Sequence, residues 1–162
     1  MSNPLYLPLD SVPYADKLKA IYRAERGVDW FPQCCCAMSA MVVEKATSLP
    51  VVGGYSRLAP RKADGFTRHF CNVDWKRGFY VDLTLRQFDG KNVTESSFSL
   101  PCTDPQYRDY ASKIPRIAIV PMNSGILIED ARALEELRRI KFESDEYAIR
   151  TMGILKRQGF VC

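Results

Sequence analysis

The chain lacks the features of several specialised protein classes. It has no apolar run of about 18 residues, the length that a membrane-spanning helix requires. Residues 1–14 carry neither a basic segment nor an apolar core, so we expect no secretory signal. We therefore expect a cytoplasmic protein without a membrane partner, and export by a signal-independent route stays open. The sequence leaves the oligomeric state undetermined.

Concentrated positive charge is also lacking. The net charge is +4, and the densest basic cluster, residues 137–141, is flanked by Glu135, Glu136 and Glu143. Proteins that bind nucleic acid usually gather their basic residues into one stripe. We therefore expect no nucleic acid among the partners.

Histidine occurs only once, as His69, whereas cysteine occurs six times. Three of the cysteines are adjacent, and the six are Cys34, Cys35, Cys36, Cys71, Cys102 and Cys162. Disulfide frameworks belong to small secreted domains, so we expect mainly reduced thiols in a chain of 162 residues. Zinc sites favour spaced cysteine pairs, and neighbouring helical residues point about 100° apart. We therefore expect neither a metal ion nor another cofactor.

The order of the predicted elements indicates an α+β fold in a single domain, residues 1–162. Apolar periodicity predicts a helix over residues 12–26. A second helix is predicted over residues 35–47, and because it is apolar almost all round we expect it to be buried. A strand follows that contains Gly53 and Gly54, where we expect a bend or bulge. Two further helices, at about 129–142 and 145–158, close the chain. This order places the helices apart from an antiparallel sheet.

A β-hairpin is predicted from the aromatic and β-branched segments 66–75 and 78–88. If residues 74–77 form its loop, His69 lies directly opposite Asp82, and the two side chains share a face. Phe79, Val81, Leu83 and Leu85 then line the other face. The hairpin thus brings a carboxylate to the only histidine.

This pairing, beside a cysteine at a helix start, indicates nucleophilic chemistry. The thiolate is the reactive form of cysteine, and both a helix N-terminus and a neighbouring imidazolium favour it. A histidine base oriented by a carboxylate completes the arrangement of cysteine hydrolases. The N–H groups at the helix start could hold the oxyanion of a tetrahedral intermediate.

Several segments resemble the YunG-like group of small bacterial proteins. They are CAMSAMVVEK (36–45), the Gly53-Gly54 pair, HFCNV (69–73) and VDLTLRQF (81–88). The wider resemblance, over about residues 33–88, is to papain-like and transglutaminase-like cysteine enzymes, whose triad follows the order Cys, His, Asp. It implies a papain-like fold, a buried nucleophile helix packed on an antiparallel sheet, here with additional C-terminal helices.

The resemblance assigns the nucleophile to Cys36, the base to His69 and the orienting acid to Asp82. Cys35 is the alternative nucleophile, and it stands where the family has a glutamine. The implied activity is hydrolysis of a peptide, isopeptide or side-chain amide through an acyl-enzyme, with a peptide or protein as substrate. Two alternatives remain open: a non-catalytic binding module with a papain-like core, and a transglutaminase-type acyl transferase.

Overall fold

The computed structural model describes residues 6–26, 36–56, 61–62, 65–66, 68–88, 114–139, 141–157 and 159. Cys34, Cys35, Cys102 and Cys162 lie outside these ranges. The helices are α1 (Ala15–Glu25), α2 (Cys36–Thr47), α3 (Ala131–Arg139) and α4 (Lys141–Arg157). The strands are β1 (Val51–Ser56), β2 (Arg61–Lys62), β3 (Gly65–Phe66), β4 (Arg68–Asp74), β5 (Phe79–Asp82), β6 (Ala118–Pro121) and β7 (Leu127–Glu129).

The main sheet of the described part has five strands in the order β6-β5-β4-β1-β7, and each neighbouring pair is antiparallel. Strands β2 and β3 form a separate two-stranded ribbon. The sheet curls, which brings side chains of non-adjacent strands into contact. The predicted α+β class with an antiparallel sheet is therefore confirmed. None of the helices in the described ranges combines the length and the apolar character that crossing a bilayer requires.

Helix α2 lies at the centre of the described fold, as its all-round apolar sequence predicts. It packs against β4 on one side and against α1 and α4 on the other. Its buried side chains are small or β-branched: Ala37, Ser39, Ala40, Val42, Val43 and Ala46. Small side chains allow a helix and a sheet to approach closely, so the position of α2 relative to β4 is fixed by packing on several sides.

The β4–β5 hairpin differs from the predicted register by two residues. Val73 pairs with Tyr80 and Asp74 with Phe79, because the turn occupies residues 75–78 rather than 74–77. Continuing this register places Asp82 opposite Cys71 and diagonal to His69. Side chains alternate with a period of two, so a shift of two residues leaves His69 and Asp82 on one face. The prediction of direct opposition was wrong, and that of a shared face was correct.

The second predicted strand also ends earlier than expected. Strand β5 stops at Asp82, and Leu85–Phe88 forms a 3-10 helix. The chain bends there because Asp82 accepts a hydrogen bond from the backbone N–H of Thr84, which closes a local turn. Val81 and Leu83 pack in the core shared with α1 and α2, whereas Leu85 belongs to the core on the other face.

No bulge interrupts β1 at the two glycines. The pairing with β4 runs without a break from Val51–Asn72 to Tyr55–Arg68. A Cβ at Gly53 would lie 2.7 Å from the Phe70 ring, and a Cβ at Gly54 would lie 1.9 Å from the carbonyl oxygen of Ile128. The glycines therefore allow close packing of a ring and of a neighbouring backbone, and the predicted bulge was wrong.

The predicted helix boundaries need small corrections. Helix α1 begins at Ala15, because Val12, its predicted first residue, is extended and follows the 3-10 turn Leu9–Ser11. Residues Leu127–Glu129, at the predicted start of a helix, form the edge strand β7 instead, and α3 begins only at Ala131. The last helix begins at Lys141. These boundaries depend on sheet pairing, which local periodicity does not contain.

Candidate active site

Cys36 is the first residue of α2 and is partly exposed. Its thiol is free, and it is hydrogen-bonded to His69. The N-terminal end of a helix carries a partial positive charge, which favours an anion at this position. Cys36 is thus a free thiol that a ligand can reach, at the positive end of a helix.

His69 connects Cys36 with Asp82. Its Nε2 lies 2.5 Å from Oδ2 of Asp82, so Nδ1 is the ring nitrogen that remains for Cys36. Both side chains are buried, with 1% of His69 and 5% of Asp82 exposed. A buried, charge-assisted hydrogen bond of this kind holds the imidazole in one orientation. The three residues thus form a continuous chain from the accessible sulfur to the buried carboxylate.

The environment of His69 favours the imidazolium. Burial alone would lower the pKa of His69, but the charge and hydrogen bond of Asp82 outweigh it, and Cys36 adds to their effect. Together they raise the pKa of His69 to about 10. At neutral pH His69 is therefore protonated and carries a positive charge beside the Cys36 sulfur.

Asp82 is held in place by Thr84. Its Oδ1 accepts hydrogen bonds from the backbone N–H of Thr84 at 2.9 Å and from the Thr84 hydroxyl at 3.2 Å. Oδ2 is left for His69. Both oxygens of the Asp82 carboxylate are therefore hydrogen-bonded, and the local turn from Asp82 to Thr84 fixes the orientation of the carboxylate. The Asp-Leu-Thr segment contains the signal for this turn, but the sequence reasoning did not assign a role to Thr84.

Asn72 fixes helix α2 relative to the strand that carries His69. Its Nδ2 donates to the carbonyl oxygens of Ala40 at 2.8 Å and of Leu49 at 3.0 Å. Asn72 is 1% exposed, so these bonds form away from bulk water, where leaving the amide unpaired would be costly. The distance between Cys36 and His69 thus depends on a buried polar link between α2 and β4.

Cys71 lies beside the triad but differs from Cys36 in its chemistry. It is fully buried in the sheet core, and burial raises the pKa of its thiol. The negative charges of Asp82, Cys36 and Glu129 raise that pKa further. A thiol in such a position is a poor nucleophile at neutral pH. Of the two cysteines that the structure describes, only Cys36 has the exposure and partners of a nucleophile.

A second buried acid, Glu25, packs against helix α2. It is on α1, and its Oε2 accepts a hydrogen bond of 2.8 Å from Ser39, one turn along α2 from Cys36. Its Oε1 has no partner within the described ranges. Burial raises the pKa of Glu25 to about 8. The sequence held a signal for this position, because Glu25 continues the buried stripe of Leu18 and Ile21.

The comparisons with known proteins gave no match. Neither a protein-family model, nor a curated protein, nor a solved structure matches this chain. The resemblance noted in the sequence therefore remains a prediction.

The described residues contain no group of three or more His, Cys, Asp or Glu side chains placed to bind a metal ion. The three residues predicted from the sequence do come together, as a chain of hydrogen bonds. The alternative nucleophile, Cys35, lies outside the described residues. Cys35 also stands where the YunG-like proteins have a glutamine.

Proposed function

We propose that the protein is a papain-like thiol hydrolase that cleaves a peptide, isopeptide or side-chain amide bond. The hydrogen-bonded series Cys36–His69–Asp82 is the observation that carries this proposal. A partly exposed sulfur at a helix start, a buried histidine and a buried carboxylate occupy the positions of nucleophile, base and orienting acid. Their order along the chain is that of papain-like enzymes.

The proposed reaction proceeds through an acyl-enzyme. The Cys36 thiolate attacks the carbonyl carbon, and the backbone N–H groups of the helix start hold the oxyanion. The intermediate collapses as the His69 imidazolium gives its proton to the departing amine, which leaves a thioester on Cys36. Water then attacks the thioester and gives its proton to His69. Release of the acid restores the thiolate and the imidazolium.

Acylation by p-nitrophenyl acetate tests this chemistry without the natural substrate. The wild-type protein should release p-nitrophenolate in a burst, and mass spectrometry should place one acetyl group on Cys36. Cys36→Ala should lose the burst. His69→Ala should lose it nearly as completely, because members of a triad act as a unit. Cys71→Ala is the matched control and should keep the burst, since that thiol is buried.

A limiting dose of iodoacetamide at pH 6 supplies a second readout. Cys36 should be alkylated before the other five cysteines. Cys71 should react more slowly than Cys36, because its thiol is buried. Adducts on Cys102 or Cys162 ahead of Cys36 would contradict the proposal. Alkylation of Cys35 first would move the nucleophile by one residue.

A further inference from the structure

Glu129 lies on the same face of the sheet as His69. Gly54 of β1 pairs with His69 on one side and with Glu129 on the other. Directly opposed residues of antiparallel strands share a face, so the two side chains flank a position that has none. The carboxylate and the imidazole are therefore separated by the width of a single strand.

A second contact places Glu129 in the same region independently. Tyr80 lies on β5, which β4 and β1 separate from β7, and it donates its hydroxyl to Oε1 of Glu129 at 2.8 Å. Tyr80 faces the same side as Cys71, because its pairing partner is Val73. The curl of the sheet thus turns Glu129 toward the face that holds the triad. Charges on Glu129, Cys36 and Asp82 all act on the buried Cys71 thiol, which lies among them.

The Glu129 carboxylate is exposed and has spare capacity to bind a ligand. Tyr80 donates to Oε1, and no described residue donates to Oε2. The neighbouring arginines are already paired, Arg132 with Asp130 and Arg68 with Glu136. Within the described ranges, no cation forms an ion pair with Glu129. An exposed carboxylate held in one orientation by a buried tyrosine is suited to binding a cation.

We propose that Glu129, positioned by Tyr80, forms an acidic subsite beside Cys36 that selects substrates with a cationic side chain next to the acyl group. The inference rests on the proposed thiol hydrolase function and names its substrate class. The backbone of Ile128 closes the space over Gly54, so a lysine or arginine side chain of a peptide would reach the carboxylate from the side on which the Cys36 sulfur is accessible. Glu129 acts in substrate selection and takes no part in bond cleavage.

Two isosteric iodoacetamides test the proposal. One carries a 2-(trimethylammonio)ethyl group and the other a 3,3-dimethylbutyl group, so the pair differs in charge and hardly in shape. The measured quantity is the ratio of their rate constants for alkylation of Cys36, taken at low ionic strength. For a partly solvated carboxylate one strand away from His69, we expect the cationic reagent to react about threefold to tenfold faster.

Three variants separate the charge of Glu129 from its structural contact. Glu129→Gln keeps an acceptor for Tyr80 and should bring the ratio close to one. Tyr80→Phe keeps the charge but removes the hydrogen bond that orients the carboxylate, and should lower the ratio to a value between those of the wild type and Glu129→Gln. Asp130→Asn changes the adjacent acid, which Arg132 already neutralises, and should leave the ratio unchanged. A ratio near one in the wild type, or a preference that survives in Glu129→Gln, would overturn the subsite.

Failure of the subsite and failure of the hydrolase function give different results. If Cys36 reacts fastest of all thiols with the neutral reagent but shows no charge preference, only the subsite is wrong. If Cys36 does not react selectively with the neutral reagent, the nucleophile assignment is wrong, and the subsite fails with it.

Discussion

Replacing Glu25 by glutamine should stabilise the protein, and increasingly so as the pH rises. Glu25 is completely buried, and its one hydrogen bond among the described residues comes from Ser39. Burial raises its pKa from 4.5 to about 8. The unfolded chain therefore releases this proton near pH 4.5, whereas the folded protein keeps it until about pH 8. Across that window the unfolded state binds fewer protons, so stability falls as the pH rises.

The size of the effect follows from the same shift. Each pH unit inside the window lowers the free energy of unfolding by about 1.4 kcal/mol. The loss due to Glu25 is then about 1 kcal/mol at pH 5 and about 3 kcal/mol at pH 7. Glutamine does not titrate, and its amide oxygen can still accept from Ser39. The stability difference between variant and wild type should therefore grow by about 2–3 kcal/mol between pH 5 and pH 7.

Urea unfolding at pH 5, 6 and 7 measures this difference directly. The control is Glu146→Gln, the same substitution at an exposed position of α4, where 67% of the side chain is accessible. The stability difference between Glu146→Gln and the wild type should show no comparable growth with pH. A difference between Glu25→Gln and wild type that stays constant across the three pH values would refute the reasoning. It would mean that Glu25 is ionised in the folded protein throughout.

Two further predictions concern the orientation of the base and the packing of the sheet. Asp82→Asn should slow the acetylation of Cys36 by p-nitrophenyl acetate less than His69→Ala does, because it disturbs imidazole orientation without removing the base. Thr84→Val, which keeps the backbone hydrogen bond to Asp82, should have a smaller effect still in the same assay; a loss equal to that of Asp82→Asn would contradict this order. Gly54→Ala should lower the midpoint of thermal unfolding more than Gly53→Ala does. We expect Gly54→Ala to lower the free energy of unfolding by about 1–3 kcal/mol. The added methyl group at Gly54 meets the backbone of β7, whereas at Gly53 it meets a side-chain ring, and equal effects would count against the close approach of β7.

The shared face of His69 and Asp82 and their proximity were predictable from the sequence, but the register that sets their contact was not. Strand alternation has a period of two and is a local property, so it survives an error of two residues in the register. The actual register depends on the turn at residues 75–78, and the bend after Asp82 depends on its hydrogen bonds to Thr84. These place Asp82 diagonal to His69, still within hydrogen-bond distance.

The amino-acid sequence by itself determined the apolar character of α2, the antiparallel α+β class and the identity of the single histidine, because these follow from composition and short-range periodicity. Only the tertiary structure decided what surrounds the triad. The burial of Glu25 against Ser39, the link from Asn72 to α2 and the contact of Tyr80 with Glu129 join residues 14 to 49 positions apart. Such contacts form when a sheet curls and helices pack on it. No local pattern encodes them, because each depends on where distant segments come to lie.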